Sequence, residues 1–260
     1  MKSIPVIGTP VVKNTKWVRR LYHSIDYPVD NFFIINNNGK GEIDEDLDLL
    51  KTELNPWVKK FWVTHMPSNI GVSASWNLII KSFMLSEYWV VVNDDIAFTP
   101  GLLQELATEA EDKDLGLINP NAGDFNLGAW DFFLIKDWVI KSHGLFDENF
   151  YPAYCEDADY IMRLLVKPIK RKVGLSNRYL HGDGFSDEYY KHGSQTRKTS
   201  PELEDTLNSV NLTNFTYAQK KWGEGWRSCE PFTNPFNNNT LDISYTTWDL
   251  DFVRSKHLGF

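Results

Sequence analysis

The apolar and polar positions of this chain alternate between short apolar runs and longer amphipathic stretches. Short runs rich in β-branched and aromatic residues predict strands, and apolar residues three or four positions apart predict helices. The predicted strands are Ile4–Thr9, Asn31–Ile35, Phe61–Thr64, Tyr88–Val92 and Leu115–Asn119. The predicted helices are Lys16–Ser24, Asp44–Leu54, Ser73–Lys81 and Pro100–Ala110. Strands and helices that alternate in this way predict an α/β fold with a doubly wound, Rossmann-like, mainly parallel sheet.

The second half of the chain is less regular. It contains an apolar run at Gly128–Ile135, a short helix at Lys136–His143 that ends at Gly144, a helix that begins at Glu156, and a strand near Asn177–Leu180. The basic run Lys167–Lys172 is interpreted as a solvated turn that leads into a strand. After Ser186, helical patterns occur at Ser200–Asn208 and Asn214–Lys221. We therefore predict one domain over residues 1–186, with a regular half at about 1–101 and a less regular half at about 102–186. Residues 187–260 are predicted to form an irregular, partly helical extension that wraps the domain or covers its site.

Polar residues follow three of the predicted strands where those strands end. They are Thr9-Pro10, Asn36-Asn37-Asn38-Gly39 and Asn93-Asp94-Asp95. Ligands of open α/β sheets bind outside the carboxyl ends of the strands. Carboxylates suit Mg²⁺ or Mn²⁺, and amides can bind a base or a ribose. Each cluster alone is also typical of a simple turn, but three at one edge indicate a nucleotide site.

Two later features have both a structural and a chemical interpretation. The acids Glu156, Asp157 and Asp159 begin a helix, where they complement the helix dipole, or one of them faces the pocket as a general base. His181 follows a predicted strand beside glycines, and is either a structural histidine or a metal ligand.

Composition narrows the class of protein. A chain of 260 residues is long enough for one large α/β domain, and a net charge of −8 disfavours a broad nucleic-acid surface. The two cysteines lack the spacing of a zinc site. Neither a signal peptide nor an apolar run of about 18 residues is visible, so we expect a cytoplasmic protein with reduced cysteines. The pattern does not predict an oligomeric state.

Seven short motifs, taken in order, resemble those of the family-two nucleotide-sugar glycosyltransferases with the GT-A fold. They are Thr9-Pro10, Asn37-Asn38-Gly39, Asn69-Ile70-Gly71 followed by Asn77, Asn93-Asp94-Asp95, Gly144–Glu148, Glu156–Asp159, and His181 with Ser186. The resemblance covers about residues 4–186. The segment Lys220–Gly223, followed by Glu230 and Pro235–Asn237, also looks like a C-terminal signature of some members.

The resemblance implies a role for each motif. Asp95 and His181 would hold Mn²⁺ or Mg²⁺, and Asp157 would be the general base, with Glu156 as the second choice. Asn93 stands where the family has the first Asp of its DxD motif, which removes one negative charge from the site. The residues that the resemblance places against the donor, for which a UDP-sugar is favoured, are Thr9, Pro10, Asn37, Asn38, Gly39, Asn69, Gly71, Asn77, Asn93 and Asp94.

The function that follows is a metal-dependent, inverting transferase that moves a sugar from a nucleotide-sugar to a hydroxyl of a glycan or other acceptor. We expect Trp130, the Phe146–Tyr154 region and the residues after Ser186 to choose that acceptor. One alternative is a non-catalytic glycan- or nucleotide-sugar-binding protein on a transferase-like domain. A further alternative, a sugar nucleotidyltransferase, would need a Gly-rich, basic loop where this chain has Gly8–Val12.

Overall fold

The computed structural model describes residues 2–123, 127–186, 195, 201–224, 231–244 and 248–256. Its strands are β1 (Ile4–Val11), β2 (Val29–Asn36), β3 (Val58–His65), β4 (Tyr88–Val92), β5 (Ile96–Phe98), β6 (Leu115–Asn119), β7 (Phe132–Lys136), β8 (Lys170–Val173), β9 (Tyr179–His181) and β10 (Gly184–Phe185). Its α-helices are α1 (Thr15–His23), α2 (Asp44–Leu50), α3 (Val72–Ser82), α4 (Leu102–Glu109), α5 (Asp137–His143), α6 (Glu156–Val166), α7 (Pro201–Trp222) and α8 (Leu250–Ser255), with a short 3₁₀ turn at Pro235–Asn237.

The described strands form a large sheet with the order β3-β2-β1-β4-β7-β6-β8 and a small sheet with the order β10-β9-β5. In the large sheet, β1 to β4 pair in parallel, whereas β7 runs antiparallel between β4 and β6. The sheet is therefore mainly parallel with one reversed strand, and the predicted α/β fold class is confirmed. The carboxyl ends of β1, β2 and β4 meet at one edge, as the sequence predicted.

The two faces of the sheet are covered by separate apolar cores. Alternate residues of β1 and β4 point to opposite faces, so Val6 and Trp89 belong to one core while Ile7 and Val90 belong to the other. The first core packs against α3, α5 and α6, and the second packs against α1, α2 and α4. Strands that are buried on both faces read as continuous apolar runs, which is why β4 and β6 begin and end where the sequence predicted.

Three expectations about individual elements were wrong. The basic run Lys167–Lys172 is not only a turn, because Lys170–Val173 pairs in parallel with β6 at the edge of the sheet. The two helical patterns after residue 200 are one helix, α7. Helix α2 ends at Leu50 rather than Leu54, where the chain turns so that the hydroxyl of Tyr22 can donate to the carbonyl of Glu53.

The C-terminal extension packs against the domain wherever it is described. Ala218 and Trp222 of α7 share a third apolar cluster with Phe150, Cys155 and Met162. Helix α8 is tied to the base of the sheet, because Arg254 donates to Asp137 and to the carbonyls of Met84 and Ser86. These contacts are those expected of an extension that wraps the domain, which was one of the two predicted possibilities. Ser200, where a predicted helix began, and Glu230 lie outside the described residues.

Candidate functional site

The small sheet brings Asp95 and His181 together. Antiparallel pairing of β5 with β9 places Ile96 opposite His181, so the residue before Ile96 lies beside the imidazole. The Nε2 atom of His181 is 3.2 Å from Oδ1 of Asp95, and both side chains are buried. The guanidinium of Arg20 donates to the carbonyls of Asp95 and Gly182, each at 2.6 Å. Two residues 86 positions apart in the sequence thus lie in contact, and their role as metal ligands stays a prediction.

Asp131 completes this cluster, although the sequence analysis did not select it. Its Oδ2 atom lies 2.8 Å from Nδ1 of His181, and its Oδ1 atom accepts a hydrogen bond of 2.7 Å from the hydroxyl of Tyr179. Burial by itself lowers the pKa of His181, but hydrogen bonds to Asp131 and Asp95 outweigh burial and raise that pKa to about 10. The sequence did contain one signal for Asp131, because this acid directly precedes the apolar run Phe132–Ile135.

The other two members of the acidic turn differ from Asp95. The Asp94 side chain is buried, and its pKa is raised well above the ordinary value by burial and then by the charge of Asp95. Asn93 is partly exposed, and its backbone N–H donates to the carbonyl of Asp131 at 2.8 Å. The C-terminal extension reaches the same turn, because the backbone N–H of Gln195 donates to Oδ2 of Asp95 at 3.0 Å.

To act as neighbouring ligands of one divalent ion, Asp95 and His181 would have to exchange their hydrogen bond for the ion, with loss of the imidazole proton. Bonds of about 2.1 Å at right angles put adjacent ligand atoms about 3 Å apart, and the two atoms are 3.2 Å apart. Asp131 holds the other ring nitrogen, as outer carboxylates do for metal-binding histidines. Among the described residues, no group of three or more His, Cys, Asp or Glu is arranged to hold a metal alone.

The predicted donor residues Asn37, Gly39 and Gly71 lie in two loops that touch each other. The amide of Asn37 donates to the hydroxyl of Ser75 at 2.7 Å, and that hydroxyl donates to the carbonyl of Gly71 at 2.6 Å. Gly39 has φ +67°, and a Cβ there would lie 2.8 Å from Cα of Ser68. Thr9 and Pro10 were predicted to end the first strand, but they lie within β1, which continues to Val11, and pair with Ile34 and Ile35 of β2.

Besides Asn93, the four other asparagines of the predicted donor site have different surroundings. Asn38 and Asn69 accept backbone hydrogen bonds within their own turns. Asn77 is buried and exchanges two hydrogen bonds of 2.9 Å with the backbone of Phe146, so it braces that segment. Asn37 is buried, and its Oδ1 atom has no partner among the described residues. Direct contact of these amides with a donor stays a prediction.

The loop before α3 lies against the loop before α6. The backbone N–H of Val72 donates to the carbonyl of Pro152 at 2.8 Å, and the hydroxyl of Tyr151 donates to the carbonyl of Asn69 at 3.0 Å. Gly71 has φ +83°, and a Cβ there would lie 2.9 Å from the Tyr151 ring and 3.0 Å from the Pro152 carbonyl. The first turn of α6, which holds the predicted base, is therefore held next to the predicted donor loops.

The three acids of that first turn have different environments. Glu156 is buried, and burial followed by the charge of Asp157 raises its pKa to about 8. Asp157 is partly exposed, and its Oδ1 atom accepts from the N–H of Ala158 at 2.7 Å. Asp159 is buried in ion pairs with Arg163 and Lys221, each at 2.6 Å, which is a structural role.

Trp130, which was predicted to influence acceptor choice, is buried between α3 and α6. It precedes Asp131 in the sequence, and its ring lies 5.7 Å from the ring of Tyr160, one helical turn after Glu156. The ring of Trp76 in α3 stacks on it at 6.5 Å.

Four polar atoms of α3, Trp130 and the first turn of α6 are buried with no partner among the described residues. They are the indole nitrogens of Trp76 and Trp130, the hydroxyl of Ser73, and Oε2 of Glu156.

No family model matches the sequence. A galactofuranosyl glycosyltransferase from Leishmania donovani is 23% identical over an alignment of 243 residues, and the match covers 68% of this chain and 56% of the relative. This chain therefore spans a little more than half the length of that protein.

Solved structures of glycosyltransferases share the fold at low sequence identity. GalNAc-T7, solved with UDP, GalNAc and Mn²⁺, matches with a TM-score of 0.62 at 12% identity over 86% of this chain and 49% of its own. The mannosyltransferase PcManGT of Pyrobaculum calidifontis, solved with GDP-Man and Mn²⁺, matches with a TM-score of 0.56 at 10% identity over 68% and 56%. S. aureus TarS matches with a TM-score of 0.54 at 12% identity over 83% and 73%.

Across the part of the chain that the structure describes, none of the helices is both long enough and apolar enough to cross a membrane. The sheet order, the paired loops at its carboxyl edge and these matches agree with one another. The chain has the GT-A fold seen in these glycosyltransferases, and the fold predicted from the sequence is confirmed.

Proposed function

We propose that this protein is a metal-dependent, inverting glycosyltransferase that transfers a sugar from a nucleotide-sugar to an acceptor hydroxyl. The observation that carries the proposal is a pair of acidic centres on neighbouring elements, since Trp130 directly precedes Asp131 and its ring lies 5.7 Å from that of Tyr160 in α6. One centre is Asp95 with His181 and Asp131, and the other is Glu156 with Asp157. The sequence relative is named a glycosyltransferase. Two of the matched structures were solved with a nucleotide-sugar or with a nucleotide and a sugar. Both observations support the same reaction class.

The two centres have the properties that direct displacement at an anomeric carbon requires. The acceptor oxygen forms a bond to that carbon while its proton passes to a carboxylate, and the bond to the diphosphate oxygen breaks. We assign the base to Asp157, which is partly exposed beside the buried Glu156. Glu156 has a pKa of about 8 and keeps its proton at neutral pH, so it suits a hydrogen-bond donor to a sugar oxygen.

Asp95 and His181 would hold the divalent ion, and Asp131 would keep the imidazole oriented toward it. Bound there, such an ion neutralises charge on the departing diphosphate. The two matched structures that contain an ion contain Mn²⁺, so Mn²⁺ is the first ion to test. We favour a UDP-sugar as the donor.

The unpaired polar atoms around Trp130 are suited to a sugar. Two indole N–H groups, a hydroxyl and a carboxyl are buried without protein partners among the described residues. Buried polar groups need hydrogen-bond partners, and the hydroxyls of a sugar provide several at once. Aromatic faces such as Trp130 supply the apolar contact that the ring carbons of a sugar require.

A screen of UDP-, GDP- and dTDP-sugars with Mn²⁺ would test the proposal. The readout is hydrolysis of the nucleotide-sugar or transfer of its sugar to an acceptor. For the sugar that is turned over, Asp157→Asn should lower kcat by about 10²–10⁴-fold, the usual contribution of a general base, and leave donor binding unchanged. Glu156→Gln is the matched variant, since glutamine keeps the shape of the protonated acid. A large loss in Glu156→Gln alone would move the base to Glu156.

The same screen separates the alternatives. A protein that binds nucleotide-sugars without turnover would show donor binding in calorimetry and no release of nucleotide, even with Mn²⁺. If neither binding nor turnover were found with any of the nucleotide-sugars, the proposed function would be wrong.

A further inference from the structure

The turn that presents the acid pair has an unfavourable backbone. Tyr154 and Cys155, directly before Glu156, both have positive φ angles, 77° and 72°. Side chains other than glycine rarely adopt this region, and such conformations persist only where the surrounding structure holds them. Cys155 is also the N-cap of α6, and its side chain makes no capping hydrogen bond to the helix. Something outside the turn must therefore hold it.

One face of α7 contacts this turn. The amide of Asn214 is buried and donates to the carbonyls of Ala153 and Tyr154, at 2.8 and 3.1 Å. One turn further along, Tyr217 donates to Asp147 at 2.9 Å. Lys221 follows after another turn and pairs with Asp147 and with Asp159 of α6.

We propose that Asn214 is a positioning residue, which holds the Ala153–Cys155 turn so that Glu156 and Asp157 face the sugar. The proposal rests on the proposed function, because it assigns the acid pair to catalysis. It also gives the C-terminal extension a role in the reaction. The ion pairs of Lys221 hold α7 against the domain. The hydrogen bonds of Asn214 fix the positions of the two carbonyls that precede the acids.

The chain offers a closely matched pair of variants. Asn214→Asp keeps the size of the side chain but replaces the donating amide with a carboxylate, which faces two carbonyl oxygens. Asn211→Asp makes the same change in charge three residues earlier on the same helix, where the side chain is exposed. A difference between the two variants therefore reports the contact of Asn214 and excludes a general effect of charge on α7.

Cys155 provides a readout that does not require activity. Its side chain is only 3% exposed and lies directly before Glu156. The rate of labelling by N-ethylmaleimide, followed on the Cys155 peptide by mass spectrometry, measures how often the turn opens. We expect Asn214→Asp to label about tenfold faster than the native protein or more, because two hydrogen bonds are lost, and Asn211→Asp to label at the native rate.

For a donor that is turned over, Asn214→Asp should lower kcat about tenfold or more, since small displacements of catalytic groups have large effects. The KM for the donor should change less than kcat, because the hydrogen bonds of Asn214 go to the turn before the acids and not to the loops predicted to bind the nucleotide. Equal labelling of the two variants would overturn the proposal. So would faster labelling of Asn214→Asp with a kcat equal to that of Asn211→Asp.

Failure of the proposed function gives a different result. In that case the native protein turns over none of the nucleotide-sugars, while the difference in Cys155 labelling between the two variants remains. The contact of Asn214 with the turn would then be supported, and its catalytic purpose rejected.

Discussion

At the scale of single residues, neighbouring carboxylic acids in the first turn of α6 differ because their partners differ. Asp159 is neutralised by Arg163 and Lys221, whereas Oε2 of Glu156, three residues earlier, has no described partner. A buried acid without a partner holds its proton more tightly, and a paired acid does not. The difference between a structural and a chemical acid is therefore set by neighbours that are distant in sequence.

The role of Asp131 can be tested by Asp131→Asn. An amide is a weaker partner for the imidazole of His181, so we expect the affinity for Mn²⁺ in the presence of UDP to fall about 10- to 100-fold. Calorimetric titration of the metal measures this. Asp114→Asn, at an exposed position, is the control and should leave the affinity unchanged. A native affinity in Asp131→Asn would show that His181 needs no outer carboxylate.

The raised pKa of Glu156 predicts a dependence of stability on pH. Its folded pKa of about 8 lies above its ordinary value of 4.5, so the folded state binds the proton more tightly than the unfolded state does. The resulting stabilisation is complete below about pH 4.5 and is lost as the pH rises toward 8. Relative to Glu156→Gln, the native protein should lose stability between pH 5 and pH 8.5 in urea unfolding.

A control at an exposed acid distinguishes this effect from the general influence of pH. Glu224→Gln, on the surface after α7, should follow the native curve at both pH values. If the difference between the native protein and Glu156→Gln were the same at pH 5 and pH 8.5, Glu156 would not be a buried, protonated acid.

At the scale of elements, the site depends on loops that meet with little free space. The loop before α3 touches the loop before α6 at Gly71, where both the positive φ and the nearby Tyr151 and Pro152 favour glycine. The polar turns after β1, β2 and β4 are then gathered at one edge by parallel pairing. Loop contacts of this kind set the distance between the donor residues and the acid pair.

Gly71→Ala tests that contact, with Gly174→Ala as its control. Both positions have φ angles near +80°, but a Cβ at Gly174 would meet nothing within 4 Å. We expect Gly174→Ala to lose about 1–2 kcal/mol from backbone conformation alone, and Gly71→Ala to lose more because its Cβ clashes. Urea unfolding measures both losses. Equal losses would mean that the two loops separate easily.

At the scale of the whole molecule, the C-terminal extension is part of the domain. The ammonium of Lys221 is fully buried between Asp147 and Asp159, at 2.7 and 2.6 Å, and the indole of Trp222 donates to Asp159 at 2.8 Å. These contacts join α7 to α6 and to the turn at Asp147. These buried contacts hold α7 against the domain.

Lys221→Met should therefore destabilise the whole domain. Removal of one partner from a buried ion pair costs about 3–5 kcal/mol, and here two carboxylates would lose a cation. The neighbouring Lys220 is exposed, so Lys220→Met should change stability by no more than about 0.5 kcal/mol. Urea unfolding compares the two variants. Similar midpoints would show that α7 is only peripheral to the fold.

Several elements and pairings were predictable because local pattern and tertiary environment agree. The doubly buried strands β4 and β6 were placed correctly from their apolar runs. The short strand β5 was missed, because three residues between Asp95 and Thr99 carry too little pattern. Strand β8 was missed because it lies at an edge, where lysines are tolerated and hide the strand signal.

The sequence by itself determined the fold class and the residue types at the sheet edge, because both follow from periodicities over a few residues. Only the tertiary structure decided which of these residues share a site. Antiparallel pairing of β7 with β4 brings Asp131 to the site. The packing of α7 on the domain brings Lys221 to Asp159. Contacts between distant segments depend on the packing of the whole chain, and short patterns along a sequence do not record that packing.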